Sequence, residues 1–501
     1  MNENAPGNNQ MKSPTVQKDL TRACAAEVTN VIHNDIKDNI FSLMVDECRD
    51  ISVKEQMGVV LRYVNKHGCV IERFLAIVHV SNTSAISLKK IIDELFAKHK
   101  LSLSRLRGQG YDEASNMRGE SNGLKALILK ENSSARYVHC FAHQLQLVVV
   151  AVAKSNRIMS DFFQYVTMIV NITGASCKRK DKFRQLEHDR LIECLEKGDI
   201  VSGKGKNQEI SLKQPGDTRW GSHYMTIICL MSTWTSVLQV LENVYDDGTN
   251  DDNSDIPTSL IDKMESYEFV FVMHLMKSLL GIINELSLAL QQKDQNIVLA
   301  VSLIKTMKVL DMMVQEMSNR FSESSKKVLT CIACLNLKDS FSQFDIGKLL
   351  HLAKLYPEDF SLIDRAILED QIETYIQNVR GDFSMIEYLG SLAKKMVETG
   401  KNTIFPLVYR LIELALVLPI ATTSVERVFS TMKIIKTDLR NRMGDEWMND
   451  SLVKYIEKDI FATIENEQIL QYFQQMNTRR IQLSPLVCMS RSDAGSSTIK
   501  K

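Results

Sequence analysis

The sequence predicts an α/β unit followed by a long all-helical region. Three observations carry that prediction. Runs rich in β-branched and aromatic residues crowd the first 140 positions, at 40–45 (IFSLMV), 58–64 (GVVLRYV), 70–80 (VIERFLAIVHV), 103–111 and 137–140, which is strand chemistry. From Ala142 to Phe461 apolar residues recur at helical spacing without a convincing strand signal, and helices are expected to carry nearly all of it. Residues 418–442 (LPIATTSVERVFSTMKIIKTDLRNR) place Val425, Val428, Phe429, Met432, Ile435 and Leu439 on one stripe, the pattern of an amphipathic helix.

Composition narrows the function classes. At 501 residues, with 44% hydrophobic and 24% charged positions, the chain has ample material for a large core. Lys+Arg and Asp+Glu both number 61, so the net charge is zero. A protein that coats nucleic acid would be basic throughout, and any DNA contact must come from local patches. Ten scattered cysteines do not make a disulfide framework and suit a reducing compartment. Cys331 and Cys334 form a single CxxC without a second pair, which reads as core packing rather than zinc. The polar first 15 residues have no apolar signal-peptide core. The most apolar run, 269–290, contains His274, Lys277, Asn284 and Glu285 and reads as a buried helix rather than a membrane span. The expectation is a soluble intracellular protein.

In order, residues 1–37 are a tail and a helix, with 1–18 expected to be disordered and the helix at 21–37. Residues 38–225 hold the first part of the α/β core: three strands, a helix at 87–99, a strand, a helix at 121–130 and a fifth strand, with His67-Gly68 as a turn. Residues 178–190 are basic, with six Lys/Arg against three Asp/Glu. Residues 226–400 are a helical insertion. The stretch 246–257 (DDGTNDDNSDIP) is a surface linker, and it lacks the spacing and closing Glu of a calcium loop. Residues 401–465 form a C-terminal helical block, and 484–501 form a disordered tail.

The chemistry-bearing residues sit where these elements end. Asp46 ends the first strand (SLMVDECRD) and Asp112 the fourth (GQGYDEASNMRG), at the rim where open α/β sheets keep their sites. Pro419 disfavours helix at the residue before it, and the helix of 418–442 begins near Thr423. Glu426 lies in its first turn. One alternative for Glu426 is local: Thr423-x-x-Glu426 fits a capping box. The other is joint: two strand-end aspartates and a helical glutamate suffice for two divalent cations, which favour carboxylate oxygens and serve phosphodiester chemistry in pairs.

Five stretches, in this order, make the chain resemble transposases of the hAT superfamily (hobo, Ac, Tam3): 41–52 (FSLMVDECRDIS), 108–119 (GQGYDEASNMRG), 140–147 (CFAHQLQL), 217–222 (DTRWGS) and 424–430 (SVERVFS). It is most similar to the long relatives that include zinc-finger MYM-type and TTF-type proteins. The resemblance implies a ribonuclease H-like mixed-sheet core, interrupted by a large helical insertion and completed by a C-terminal dimerisation region. It implies that Asp46, Asp112 and Glu426 are the catalytic, metal-binding triad, holding two Mg2+ or Mn2+ ions that nick DNA and transfer strands. It implies that Arg219 and Trp220 contact DNA, Trp220 stacking a base flipped out during hairpin formation; the alternative for Trp220 is a core anchor. Cys140 and His143 match the family's CxxH and are read as active-site support. The implied partners are DNA at transposon ends and a second copy of the chain, without a membrane, in the nucleus.

Two features shape the functional expectation. Relatives usually carry an N-terminal zinc module, whereas Cys24 and His33 stand alone before Phe41. The activity is therefore either that of a DNA-cutting transposase or that of a domesticated or truncated remnant, dimerising and associated with DNA or chromatin. The C-terminal block adds an expectation of its own: Leu411, Leu414, Leu418, Val425, Phe429 and Met432 are too apolar to be buried within one segment, so part of that surface is left for a partner. Lys433, Lys436, Arg440 and Arg442 oppose only Asp438, giving a face that either contacts phosphates or is simply solvated.

Overall fold

The computed structural model describes residues 13–111, 122–197, 220–247, 255–292, 323–335, 345–379 and 388–476, with a few single positions between them. The chain divides into two compact units: one of residues 1–140, 296–299 and 323–501, the other of 141–295 and 300–322.

The first unit is built on a five-stranded mixed sheet. The strands are β1 (Phe41–Arg49), β2 (Glu55–Val64), β3 (Val70–His79), β4 (Leu106–Gly110) and β5 (Arg136–Tyr137), in the order β3-β2-β1-β4-β5. β1, β2 and β3 form an antiparallel meander, and β4 and β5 continue from β1 in parallel. All five expected strands are present and lie in one sheet. The β2–β3 turn is made at Gly68, whose φ of 74° a side chain rarely adopts.

Both faces of the sheet are covered, so β2 reads as a nearly continuous buried run. One face meets α1 (Pro14–Ile36) and α2 (Ala85–Lys98): the Tyr63 hydroxyl donates to Asp35 of α1 at 2.6 Å, and Phe41 meets Phe96 of α2 edge to face. α1 starts earlier than the sequence reading placed it. Ser13 caps it by accepting the Val16 amide, and Pro14 occupies its first turn, where the missing N–H costs nothing. Residues 14–18, expected to be disordered, are therefore helical. A short helix, α3 (Leu124–Glu131), leads into β5.

The other face receives the C-terminal helices α4 (Pro406–Val417) and α5 (Thr423–Ile435). α4 stops at Leu418 because Pro419 follows it. Arg62 of β2, 2% exposed, donates to the terminal Leu416 carbonyl at 2.9 Å and pairs with Glu72 of β3 at 2.6 Å. Glu72 in turn accepts the Ser424 hydroxyl. One buried network thus ties the end of α4 and the start of α5 to the sheet.

α6 (Asp445–Ile456) covers the outer edge of the sheet. The Asn449 side chain accepts the Ile77 amide at 3.0 Å, and Glu457, just past the helix, accepts the Phe74 amide at 2.7 Å. Two donors of edge strand β3 that would otherwise template aggregation are thereby used up. α7 (Asn466–Gln475) packs Ile469 and Phe473 on Ala23 of α1.

Leu411, Leu414, Leu418, Val425, Phe429 and Met432 are all at most 6% exposed within a single chain. This corrects the expectation that part of this set faces a partner: the sheet and the neighbouring helices of the same unit absorb every one. A second correction concerns Leu439. The helix ends at Ile435, Lys436 turns out of it with φ −102° and ψ 93°, and Leu439 leaves the stripe to stand 97% exposed.

A histidine pair joins α1 to the end of α2, with Nε2 of half-buried His33 and Nδ1 of buried His99 3.0 Å apart. Burial, aided by His33 and Lys98, pushes His99 down to about 4. The unfolded chain takes up this proton near pH 6.5, while the folded one does not until about pH 4. Stability is therefore expected to fall as pH drops through that window, by on the order of 3 kcal/mol. Urea midpoints at pH 7 and pH 5 check this: His99→Gln should lose less between the two than the parent chain does.

The second unit is helical throughout its described residues, with helices Phe141–Ser155, Arg157–Gly174, Cys177–Glu196, Trp220–Ser232, Trp234–Asp247, Asp255–Glu265 and Tyr267–Leu290. Tyr267–Leu290 is long and apolar enough to cross a membrane by length and composition. It nonetheless buries a stripe of Phe269, Val272, Met273, Met276, Leu280, Ile283, Leu286 and Leu290, the spacing of a core helix. Among the described residues of 260–395 there is no strand.

Candidate active site

The site is assembled from β1 and α5. Asp46 pairs across the ladder with Gly58 of β2, and residues paired directly opposite point to the same side of a sheet. A Cβ on Gly58 would stand 2.8 Å from Val425 Cγ1 and 3.3 Å from the Phe429 ring. Only glycine lets α5 approach this closely. Asp46 therefore belongs to the face that receives α5, and Glu426 follows Val425 directly on that helix. Both acids are partly exposed, and Asp46 Oδ1 accepts the Glu47 amide at 2.9 Å.

The capping alternative for Glu426 does not hold. The cap residue is Thr422 rather than Thr423, and its side chain makes no capping bond. Glu426 thereby falls one position past the place from which a capping box closes. Its own amide donates to the Thr422 carbonyl at 3.1 Å, as ordinary helix. Cys140 is buried beneath this turn, its Sγ accepting the Thr422 amide at 3.5 Å. A cysteine thus holds the start of the helix that carries Glu426.

A buried ion pair fixes the other end of that helix. Asp50, just past β1, accepts Lys436 Nζ at 2.7 Å and Gln56 Nε2 at 3.0 Å on one oxygen. Its other oxygen takes the Ser52 and Lys54 amides. Burial alone would raise the Asp50 pKa, but the ammonium and the three further donors hold it below the ordinary carboxylate value. Lys436 is 2% exposed, so it is not part of the basic face read from the sequence, which is left with Lys433, Arg440 and Arg442. Sequence reasoning missed this clamp. The two residues stand 386 positions apart, and neither carries a local mark of the other.

The other expected site residues are less fully described. Asp112 and Arg219 lie outside the described residues. Asp112 stands two positions after Gly110, which pairs with Met44, itself two positions before Asp46. Trp220 opens a helix of the second unit, with its side chain outside the description. His143 lies in the first turn of Phe141–Ser155, also in the second unit. Among the described residues no three His, Cys, Asp or Glu side chains are grouped to hold a metal. Cys331 and Cys334 are 4% and 5% exposed, and burial pushes the Cys334 thiol up to about 11.

Comparison with known proteins gives two family matches, one at each end of the chain. Residues 1–123, which include Asp46 and Asp112, match the family DUF4371, the ZMYM1/FAM200, RNase-like domain. Residues 398–460, which include Glu426, match the hAT family C-terminal dimerisation region. A human protein, the 52 kDa repressor of the inhibitor of the protein kinase, is 20% identical over 89% of this chain, which spans 66% of that relative's length. The chain is thus similar to an RNase-like domain at one end and to the hAT family C-terminal dimerisation region at the other.

Proposed function

We propose that the chain is an hAT transposase-derived protein that cuts DNA with Asp46, Asp112 and Glu426 and self-associates through its C-terminal region. The observation that carries this reading is the docking of α5 on the face of the sheet that carries Asp46, through the close approach of Val425 and Phe429 to Gly58, the β2 partner of Asp46. The strand order and directions support a ribonuclease H-like core completed by the C-terminal helices. Asp46 and Glu426 are partly exposed residues with carboxylate oxygens, the donor type that Mg2+ and Mn2+ require. Bound there, two such ions polarise a phosphodiester and lower the pKa of water. The work of the chain is to hold the acids. Cys140 and the Arg62–Glu72–Ser424 network fix one end of the Glu426 helix, and the Asp50–Lys436 pair fixes the other. Arg219 and Trp220 are assigned to the DNA, as a phosphate contact and a base-stacking surface. The nucleus is the compartment that this function needs.

The expected result is metal-dependent nicking of DNA carrying the element's own ends. Asp46→Asn and Glu426→Gln should each lower that rate at least about a hundredfold while leaving the thermal transition in place. Variants that nick like the parent chain would sink the reading. A second reading, a dimerising DNA- or chromatin-associated protein that does not cut, is favoured by the dimerisation region and by a relative named as a repressor. It is the reading left if the parent chain sediments as a dimer and binds DNA but never nicks it.

A further inference from the structure

The hairpin between β1 and β2 ends in a strained, apolar tip. Asp50 and Lys54 close the turn, the Asp50 amide donating to the Lys54 carbonyl at 2.9 Å. Val53 adopts φ 61°, a conformation that is an outlier for a β-branched residue and is kept only where the surroundings impose it. Despite that cost Val53 is 74% exposed, and Ile51 beside it is 48% exposed. The turn is joined to the segment after α5: Ser52 Oγ donates to the Asn441 carbonyl at 2.8 Å, and Lys436 pairs with Asp50. Leu439, 97% exposed, lies between these two attachment points. Lys433, Arg440 and Arg442 are exposed near it in sequence, against Asp438, while the next acid, Asp445, is paired with Lys54 of the turn at 3.2 Å.

We propose that Val53 and Leu439 form one apolar wedge that inserts at an opened or unpaired base step of DNA, with Lys433, Arg440 and Arg442 on the flanking phosphates. The proposal rests on reading the chain as a DNA-handling protein, though not on cleavage. The occupant follows from charge. A two-fold contact with a second copy would set three cations against their own images, whereas a polyanion neutralises them and releases counterions. Nucleic acid also offers apolar base faces wherever stacking is broken, and aliphatic side chains are used as wedges at such steps. The tip continues the strand that carries Asp46, so a distorted step held there lies at the end of β1 that bears the carboxylate.

The test uses the full chain in EDTA, where no cleavage runs, so a protein that does not cut still gives an answer. Fluorescence anisotropy compares a duplex with an unpaired flank against the same sequence fully paired. Leu439→Ser should weaken binding to the flanked duplex by roughly tenfold and leave the paired duplex nearly unchanged. Arg440→Gln with Arg442→Gln should weaken both and reduce the salt slope by about 2. Val53→Gly separates function from folding: glycine takes a positive φ without strain, so the variant should melt a few degrees higher and yet lose the preference for the flanked duplex. Equal binding of both duplexes by all variants overturns the proposal, as does failure of the parent chain to bind either at low salt. Loss of dimer on sedimentation of Leu439→Ser, with DNA binding intact, would assign the tip to a second copy. Leu439-dependent binding to anionic vesicles, without the DNA effect, would assign it to a membrane.

Discussion

Ending the chain at Gly400 is expected to unfold the sheet unit rather than to release a soluble monomer of it. The main hydrophobic cluster draws Val425, Val428, Phe429, Met432, Leu452 and Val453 into contact with strand residues such as Val60 and Phe74. Each such side chain contributes roughly 1.5–3 kcal/mol on burial, so the first four alone contribute on the order of 8 kcal/mol. A whole domain retains a net stability of only about 5–15 kcal/mol. The deletion also frees the edge amides of Ile77 and Phe74 and uncovers Arg62 and Asp50. Circular dichroism and thermal melting of residues 1–400 check the expectation. A cooperative transition with native near-ultraviolet signal would show that the first 400 residues fold alone. It follows that truncation is a poor test of self-association, which calls for sedimentation of the intact chain.

The second large effect is expected at Lys436. In Lys436→Met the Asp50 carboxylate stays buried with its amide donors but without its cation, which costs about 3–5 kcal/mol near neutral pH. The pH dependence has a definite sign. In the parent chain the Asp50 pKa is held below its unfolded value. Its contribution is therefore complete above about pH 4 and is lost as pH falls through the lower, folded pKa. In the variant the effect of burial is no longer opposed by the ammonium, so Asp50 takes up a proton at higher pH and the penalty shrinks. The gap between the two proteins should be widest near pH 7 and narrow as pH falls below about 5. Chemical denaturation at pH 7, 5 and 4 measures it, and a gap that widens toward acid would refute the role given to the pair.

What was legible in the sequence was whatever has a local signature. The five strands announce themselves by β-branched runs, and the end of α4 by Pro419. The start of α5 shows in its threonines, although only the structure decides that Thr422 rather than Thr423 is the cap. What was not legible depends on pairing across long separations. Nothing near Gly58 in the sequence says that it must admit Val425 and Phe429, and nothing near Lys436 says that its charge is spent on Asp50. The same holds for Leu439, which fits the apolar stripe by spacing and leaves it because a salt bridge stops the helix three residues earlier. Part of the set from Leu411 to Met432 was expected at a partner because a segment taken alone cannot show how much sheet awaits it.

The split core also sets an order of events during synthesis. About 290 residues separate Tyr137, at the end of β5, from Val425, whose packing completes the face opposite α1 and α2. At about 5–20 residues per second, the strands leave the ribosome roughly 15–60 s before the helices that cover them exist. During that interval β2 has one face bare, and the outer amides of β3, later taken by Asn449 and Glu457, have no acceptor from α6. The helical unit, contiguous apart from a few residues, can form first. The sheet therefore becomes native only after α5 and α6 have been made, although its strands precede them by hundreds of residues, and until then its bare face is the kind of surface that a holding chaperone protects.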